Sequence, residues 1–584
     1  MKTQTATILF LLLSLCSVKN SVAQQPHVYL VHKLEKPIGK EEVSYLPSNQ
    51  ESYQLVINSN DRGSVTKLTA GFSSSDAQVK YTSIGQTSRF KTENIDTTIL
   101  NKGNFPFSSN GSIKMRESLV TFWMRSGKPA AIPSAFGKAP VRIKLRDTLQ
   151  DPLTHKTLQV LKLDDGLEEI LWLDADGKAI FYTFCDSEGD KREVIDIRYT
   201  SFFNFLNQKS TSYLIESYEN NRENFGKNYD HIAITGGKII DLNDGGKILD
   251  HQLLLLKNGK IDYIGKLDRA LIPAGALVIN AEGQFLIPGL WNMHVHLFHP
   301  EYLKKELLSG ATTVRDMGNE FDFIRSLKVA AKKPSFPGPQ ILNAGLIDGK
   351  SPNALGIEIT GNETDIKESI KKYHDAGFDQ IKVYTYVKKN DLAIIVKAAK
   401  RYNMQVVGHL PFGYTMDYFL KNGINSLSHI HYFMNALKLK NKDLKTENQA
   451  LLDTLMARKI YLDPTLNVYS LTGSQKISFY KRFLKLFSDY GIPIVAGTDN
   501  EGTIAMEIQN YVAAGMTPLE AIRSATVVPA RVMGLASQTG SLEAGKNSDL
   551  LILKRNPLLD IKALNDLNYV IKGQYVLNKT PTPL

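Results

Sequence analysis

The sequence predicts an α/β protein: a TIM (β/α)8 barrel, a composite small β-domain formed by both flanks of the barrel, and an N-terminal antiparallel β-rich domain. Three observations carry this reading. Between Phe285 and Thr498, eight short apolar runs alternate with amphipathic helical stretches. Eight such units over roughly 245 residues are the usual size of this barrel. On either side of them lie strand-like runs, ITGGKIIDL and LLLLKNGKIDYIG before and SDLLIL and YVIKGQYVL after, with Asn258-Gly259 as a two-residue hairpin turn. Residues 24–228 have another texture, with short alternating strands, frequent turn signals and few helical stretches.

The 584-residue chain is 42% hydrophobic and 22% charged, which excludes disorder, collagen and coiled coil. Its two cysteines cannot make a disulfide framework, so a metal site here must use nitrogen and oxygen ligands. Lys2, the apolar run Ile8–Leu15 and the small residues Ser21-Val22-Ala23 have the anatomy of a signal peptide spanning residues 1–23. That predicts an exported protein, periplasmic or extracellular, with Cys185 as its one cysteine and no later transmembrane segment. Removing the segment deletes Lys2 and Lys19 and no acid, taking the net charge from +11 to +9. No Lys/Arg run is long enough to track a nucleic-acid backbone, so no nucleic-acid partner is expected.

In residues 24–228 the predicted strands are Val28–His32, Tyr53–Ile57, Val65–Ala70, Val79–Tyr81, Leu119–Met124, Val141–Leu145, Leu158–Leu163, Ile170–Leu173 and Ala179–Phe184. Asn60–Gly63 (NDRG) and Asp174–Lys178 (DADGK) are the clearest turns. His27, His32 and His155 read as surface or hairpin residues, and Glu216–Asp230 as a linker. The flanks 229–290 and 535–584 are expected to make a composite β-sandwich, with residues 291–534 as the barrel.

The barrel strands are predicted at Phe285–Leu297, Thr312–Met317, Gln340–Ile347, Gln380–Tyr384, Gln405–Leu410, Ser426–His431, Ile460–Leu466 and Ile494–Thr498. Catalytic groups of such barrels sit at the C-terminal ends of strands. Strand one ends in His294-Val295-His296, and alternation puts both imidazoles on one face. Strand four carries Lys382, strand five ends in His409, strand six in His429 and strand eight in Asp499. Five strand ends therefore carry residue types that suit a divalent metal. Arg315, Asp316 and Asp348 read as loop braces, and His299 and His374 as surface residues.

These motifs resemble the amidohydrolase superfamily, in its imidazolonepropionase-like and prolidase-like branch. The residues that carry the resemblance are PGLWNMHVH, GATTVRDMG, QIKVY, VVGHL, SLSHI, AGTDN, TPLEAIRSAT and GSLEAGKNSDLLIL, within residues 231–580. The resemblance implies a hydrolase dependent on one or two divalent metal ions, usually Zn2+. By similarity, Lys382, carboxylated by carbon dioxide to a carbamate, would bridge two metals. His294, His296 and Asp499 would hold the first, His409 and His429 the second. A one-metal site with unmodified Lys382 is the main variant. Divalent metals lower the pKa of a bound water from about 15.7 to near 7. Asp499 would be the catalytic residue that takes the proton of the attacking hydroxide and passes it to the leaving nitrogen. Tyr384 is placed where similar enzymes contact substrate, and His431, of the same parity as His429, is a second substrate candidate. Asn292 stands where relatives usually have aspartate, which predicts a change in what orients a strand-one histidine.

The implied substrate is a small molecule with an amide or other C–N bond: a dipeptide, a cyclic amide or an N-acyl amino acid. Self-association into a homo-oligomer is compatible with this. Two other readings are a Schiff-base lyase using Lys382, and a non-catalytic envelope- or carbohydrate-binding protein with an inert barrel.

Overall fold

The computed structural model describes residues 25–578 apart from segments 47–48, 63, 74–77, 88–91, 101–110, 134–138, 187, 222–225, 335, 360 and 438–443. The predicted signal peptide, residues 1–23, lies outside the described residues. Among them, no helix is long and apolar enough to cross a membrane.

The N-terminal part is an eleven-stranded antiparallel sheet. Its first strand, His27–Lys33, sits mid-sheet and pairs with both Lys36–Leu46 and Lys191–Asp196. One face is covered by the helix Ile113–Arg125, through Ile113, Met115, Leu119, Val120 and Trp123. The other face meets the helix Phe203–Asn220, whose Leu206, Tyr213 and Leu214 pack on Trp172, Ile180 and Phe181.

Two expectations are corrected here. Leu119–Met124 is not a strand but the end of the first helix. Apolar residues at 119, 120, 122, 123 and 124 suit either period, and the deciding signal is upstream. Ser112 Oγ accepts from Met115 N at 3.1 Å, and the buried Glu41 carboxylate accepts from the Ile113 and Lys114 backbone, both at 3.2 Å. Glu216–Asp230 is only partly a linker. Residues 216–220 finish the second helix, where buried Tyr218 donates to Pro337 O at 2.6 Å, and Lys227–Asn228 pairs with Tyr575 and Val576.

The flanks of the barrel make one nine-stranded sheet, in which Phe285–Pro288 pairs with Leu550–Leu553 across the whole barrel insertion. The expected sandwich is thus one continuous sheet enclosing its own core, including Ile234, Leu254, Leu286, Ile552 and Ile571. Asn258 and Gly259 both have positive φ, 51° and 76°, as a two-residue hairpin turn requires.

The predicted strand Phe285–Leu297 is two strands. Phe285–Pro288 belongs to the small sheet and Leu290–Val295 to the barrel. Gly289 is the joint, because a Cβ there would lie 2.1 Å from Thr312 Oγ1. The parallel barrel continues through Ala311–Asp316, Gln340–Gly349, Gln380–Val383, Gln405–Gly408, Ser426–Ser428 and Tyr461–Asp463. It is nearly closed. Ile494–Thr498 forms a single bridge rather than a full strand, yet its backbone bonds both neighbours: Val495 N to Leu462 O at 2.9 Å, and Met293 N to Ala496 O at 2.8 Å. Asn292 reinforces this seam. It accepts from Thr498 N at 3.1 Å and donates to Thr498 Oγ1 and to the buried Glu306 carboxylate, at 3.0 and 2.9 Å. An aspartate could not donate to Glu306, which accounts for the amide at this position.

Candidate metal and substrate site

Six strand ends and one strand interior build the rim. His294 is fully buried. Its Nδ1 lies 2.7 Å from an Asp463 carboxylate oxygen, an acceptor, so Nδ1 carries the proton and Nε2 is left with its lone pair. His296 repeats the device, with Nδ1 2.8 Å from Gly318 O. Both Nε2 atoms face Asp499 Oδ1, at 3.4 and 3.2 Å. These three ligand atoms lie within 4.8 Å of one another, and His294 Nε2 is a buried polar atom without a hydrogen-bond partner. Three electron-pair donors facing one another are mutually repulsive unless a cation lies among them. A divalent metal fits this donor set.

The second group is adjacent. His409 and His429 meet Nε2 to Nε2 at 2.9 Å, and His429 Nδ1 is 2.9 Å from Thr465 Oγ1 and 3.9 Å from Asp499 Oδ2. The His294 and His429 ring centroids are 4.9 Å apart. Burial holds both His409 and His429 well below the usual imidazole range, with the Lys382 charge acting in the same direction. Lys382, in Gln380–Val383, is buried and lines the same cavity. Burial pushes its ammonium down to about 8, against the pull of Asp499 and Asp463. Its Nζ has no hydrogen-bond or ion-pair partner among the described residues, and it lies 5.5 Å from the Tyr384 ring centroid. Backbone strain collects at the same rim: His429, Thr465 and Asp499 have φ of 68°, 51° and 52°.

Of the six expected ligands, His296, Lys382, His409, His429 and Asp499 line one cavity, and His294 lies beside them against Asp499. Tyr384 leans against His409, with centroids 4.4 Å apart and the rings tilted by 37°, and lines the cavity. His431 stands beside it, its Nδ1 2.7 Å from Tyr469 Oη and its ring 6.0 Å from that of His429, and is not part of the lining. Asp463 escaped the sequence reading although it ends strand seven as Asp499 ends strand eight. Arg315 is more than a loop brace: fully buried, it donates to Met293 O at 2.6 Å, Tyr461 Oη at 3.0 Å and Asp463 at 3.1 Å. His299 is buried rather than on the surface, its Nε2 3.1 Å from Glu168 O, and His32 is buried too. The cavity, about 490 Å3, is also lined by Lys33, Leu34, Arg62, Glu188 and Asp190 from the N-terminal sheet.

The family model described as Amidohydrolase family matches residues 285–576. Ochratoxinase of Aspergillus niger is 31% identical over 196 residues, 31% of this chain and 40% of that protein. Adenine deaminase of Clostridium perfringens is 22% identical over 342 residues, 56% of each. The chain therefore spans about two fifths to a little over half of the length of these curated relatives. Among solved structures, a putative prolidase from Bifidobacterium longum matches with TM-score 0.52 and 24% identity, over 61% of this chain and 97% of that one. An Xaa-Pro dipeptidase with bound methionine in its active site matches with TM-score 0.51 and 21% identity, over 60% of this chain and all of that one.

Proposed function

The chain belongs to the amidohydrolase family, and from that premise we propose that it is an exported, metal-dependent hydrolase of a carbon–nitrogen bond in a small molecule. The observation that carries the reading is the convergence of the His294 and His296 Nε2 lone pairs with the Asp499 carboxylate. One ion held by these three, and a second by His409 and His429 with Lys382 carboxylated between them, would supply Lewis-acid polarisation of a carbonyl and acidification of a water, with zinc the favoured element. This chain's residues do the rest. Asp463 and the Gly318 carbonyl fix the two histidine tautomers. Asp499 accepts a proton from the attacking water and delivers it to the leaving nitrogen. Lys382, with no hydrogen bond or ion pair to an acid among the described residues, is the amine that carbon dioxide can modify. Tyr384 contacts the substrate from the cavity wall.

A Schiff-base lyase would use the same buried amine but leaves the aspartate and four imidazoles without a task. A dipeptide, the kind of substrate in the name of the Xaa-Pro dipeptidase, or another amide fits a cavity of about 490 Å3. Elemental analysis of purified protein, paired with a screen of dipeptides, cyclic amides and N-acyl amino acids, tests the proposal. One or two equivalents of divalent metal and chelator-reversible hydrolysis are expected. A folded protein that takes up no divalent metal refutes it.

A further inference from the structure

The solved relatives align with about three fifths of this chain, and the N-terminal sheet still reaches the site. Two of its hairpin tips enter the barrel mouth. The first is the two-residue turn Leu34-Glu35, between His27–Lys33 and Lys36–Leu46, with φ of 49° and 63°. The second begins with Arg62, φ 54°, directly after the strand Asn49–Asp61. Leucine, glutamate and arginine are uncommon in this left-handed region, which the tight hairpin turns impose on them. Leu34 is buried against Phe298, Leu346, Leu355 and Tyr384, so the first tip is a wedge of apolar wall.

The second tip is polar. Arg62 donates from Nε to Asp61 at 3.0 Å, and its Nη1 lies 3.5 Å from the Tyr384 hydroxyl. Lys33 bridges Asp61, at 2.6 Å, and Asp190, and Arg192 bridges Asp186 and Asp61, at 2.8 and 3.1 Å, so all three cations, Arg62 included, share Asp61. Among these three cations only Arg62 reaches a candidate substrate residue. The roof is fastened rather than hinged. Buried Lys191 joins Glu193 to the barrel's Glu320, at 2.7 Å, and Tyr302 Oη donates to Gly189 O at 2.8 Å.

We propose that these two tips form a fixed roof over the barrel mouth, and that Arg62, beside the Tyr384 hydroxyl, binds a carboxylate of the substrate, restricting the enzyme to amides of amino-acid type. An arginine fork and a phenol together match a carboxylate's two oxygens, and the Leu34 wall accepts an apolar side chain. This deepens the hydrolase reading and rests on it for the word substrate.

The test uses full-length zinc-loaded protein and a panel of N-acetyl amino acids with apolar side chains, each paired with its carboxamide. Binding is measured by calorimetry, and KM wherever hydrolysis occurs. The wild type is expected to favour acids over carboxamides by about 10- to 100-fold, the range for a hydrogen-bonded charge. Arg62→Gln is expected to bring that ratio close to one, and Arg62→Lys to restore part of it, with zinc stoichiometry unchanged in both. Equal affinity for acid and carboxamide in the wild type, no binding of any panel member, or a ratio insensitive to Arg62 but lost in Glu188→Gln overturns the proposal. The two readings fail separately: acids that bind through Arg62 without being cleaved sink the hydrolase, and cleavage indifferent to Arg62 sinks the roof.

Discussion

Replacing Asp463 by asparagine separates two jobs that one carboxylate performs. The side chain is fully buried and receives the His294 ring at 2.7 Å, Arg315 at 3.1 Å and Ser428 at 3.3 Å. Asparagine keeps the shape and one acceptor oxygen but removes the charge. The other partners of Arg315 that the structure shows, Met293 O, Gln380 and Tyr461, are neutral. A buried guanidinium stripped of its acid costs about 3–5 kcal/mol. At roughly 2–4 °C per kcal/mol for a unit of the barrel's size, the melting temperature should fall by about 6–20 °C. The second job is chemical. Asparagine would keep its carbonyl oxygen where Oδ2 accepts all three donors, but a neutral acceptor leaves the His294 imidazole a poorer electron-pair donor, and zinc affinity should drop about 10- to 100-fold. Calorimetric melting and competitive zinc titration measure the two effects. Adding Arg315→Gln removes the stranded cation, so the double variant should recover part of the stability and none of the metal affinity. A single variant that melts within 2 °C of the wild type and binds zinc within about threefold would show the histidine–aspartate–arginine chain to be idle.

Two further outcomes follow from the geometry. Because burial brings the Lys382 ammonium down to about 8 from 10.5, the folded state releases its proton before the unfolded state does. Stability of the metal-free protein should therefore rise with pH between about 8 and 10.5, by on the order of 3 kcal/mol over the whole window. Chemical denaturation in chelator at pH 8 and 9.5 checks this, and a slope that survives in Lys382→Met assigns it to another group. Gly289→Ala would drive a methyl onto Thr312 at the joint between small sheet and barrel. A loss of about 1–3 kcal/mol is expected, rescued in part by Thr312→Ser, and an unaltered denaturation midpoint would show that the strands can shift apart.

The barrel and its rim were legible because strand ends in this architecture are addresses. Once the alternation of apolar runs and helices is seen, the residues at 294, 296, 382, 409, 429 and 499 can be read off in order. Asp463 and Thr465 follow the same rule, but they sit inside the apolar run Ile460–Leu466, whose hydrophobicity masks where the strand ends. Helix against strand at Leu119–Met124 was undecidable from periodicity alone, and the answer lay in a cap at Ser112 and a distant Glu41. Arg62 is the instructive omission. Its turn was visible as NDRG, but its meaning depends on a tyrosine 322 positions later, and no local pattern encodes that proximity.

The pairing of Phe285–Pro288 with Leu550–Leu553 also constrains how the molecule comes into being. A growing polypeptide must finish the intervening barrel before the ribosome supplies the partner that covers Ile234 and Leu254. Until then those greasy faces stay open, and long-range closure of this kind is slow and prone to clumping. A chain truncated near residue 540 should therefore precipitate rather than accumulate as a smaller, working enzyme.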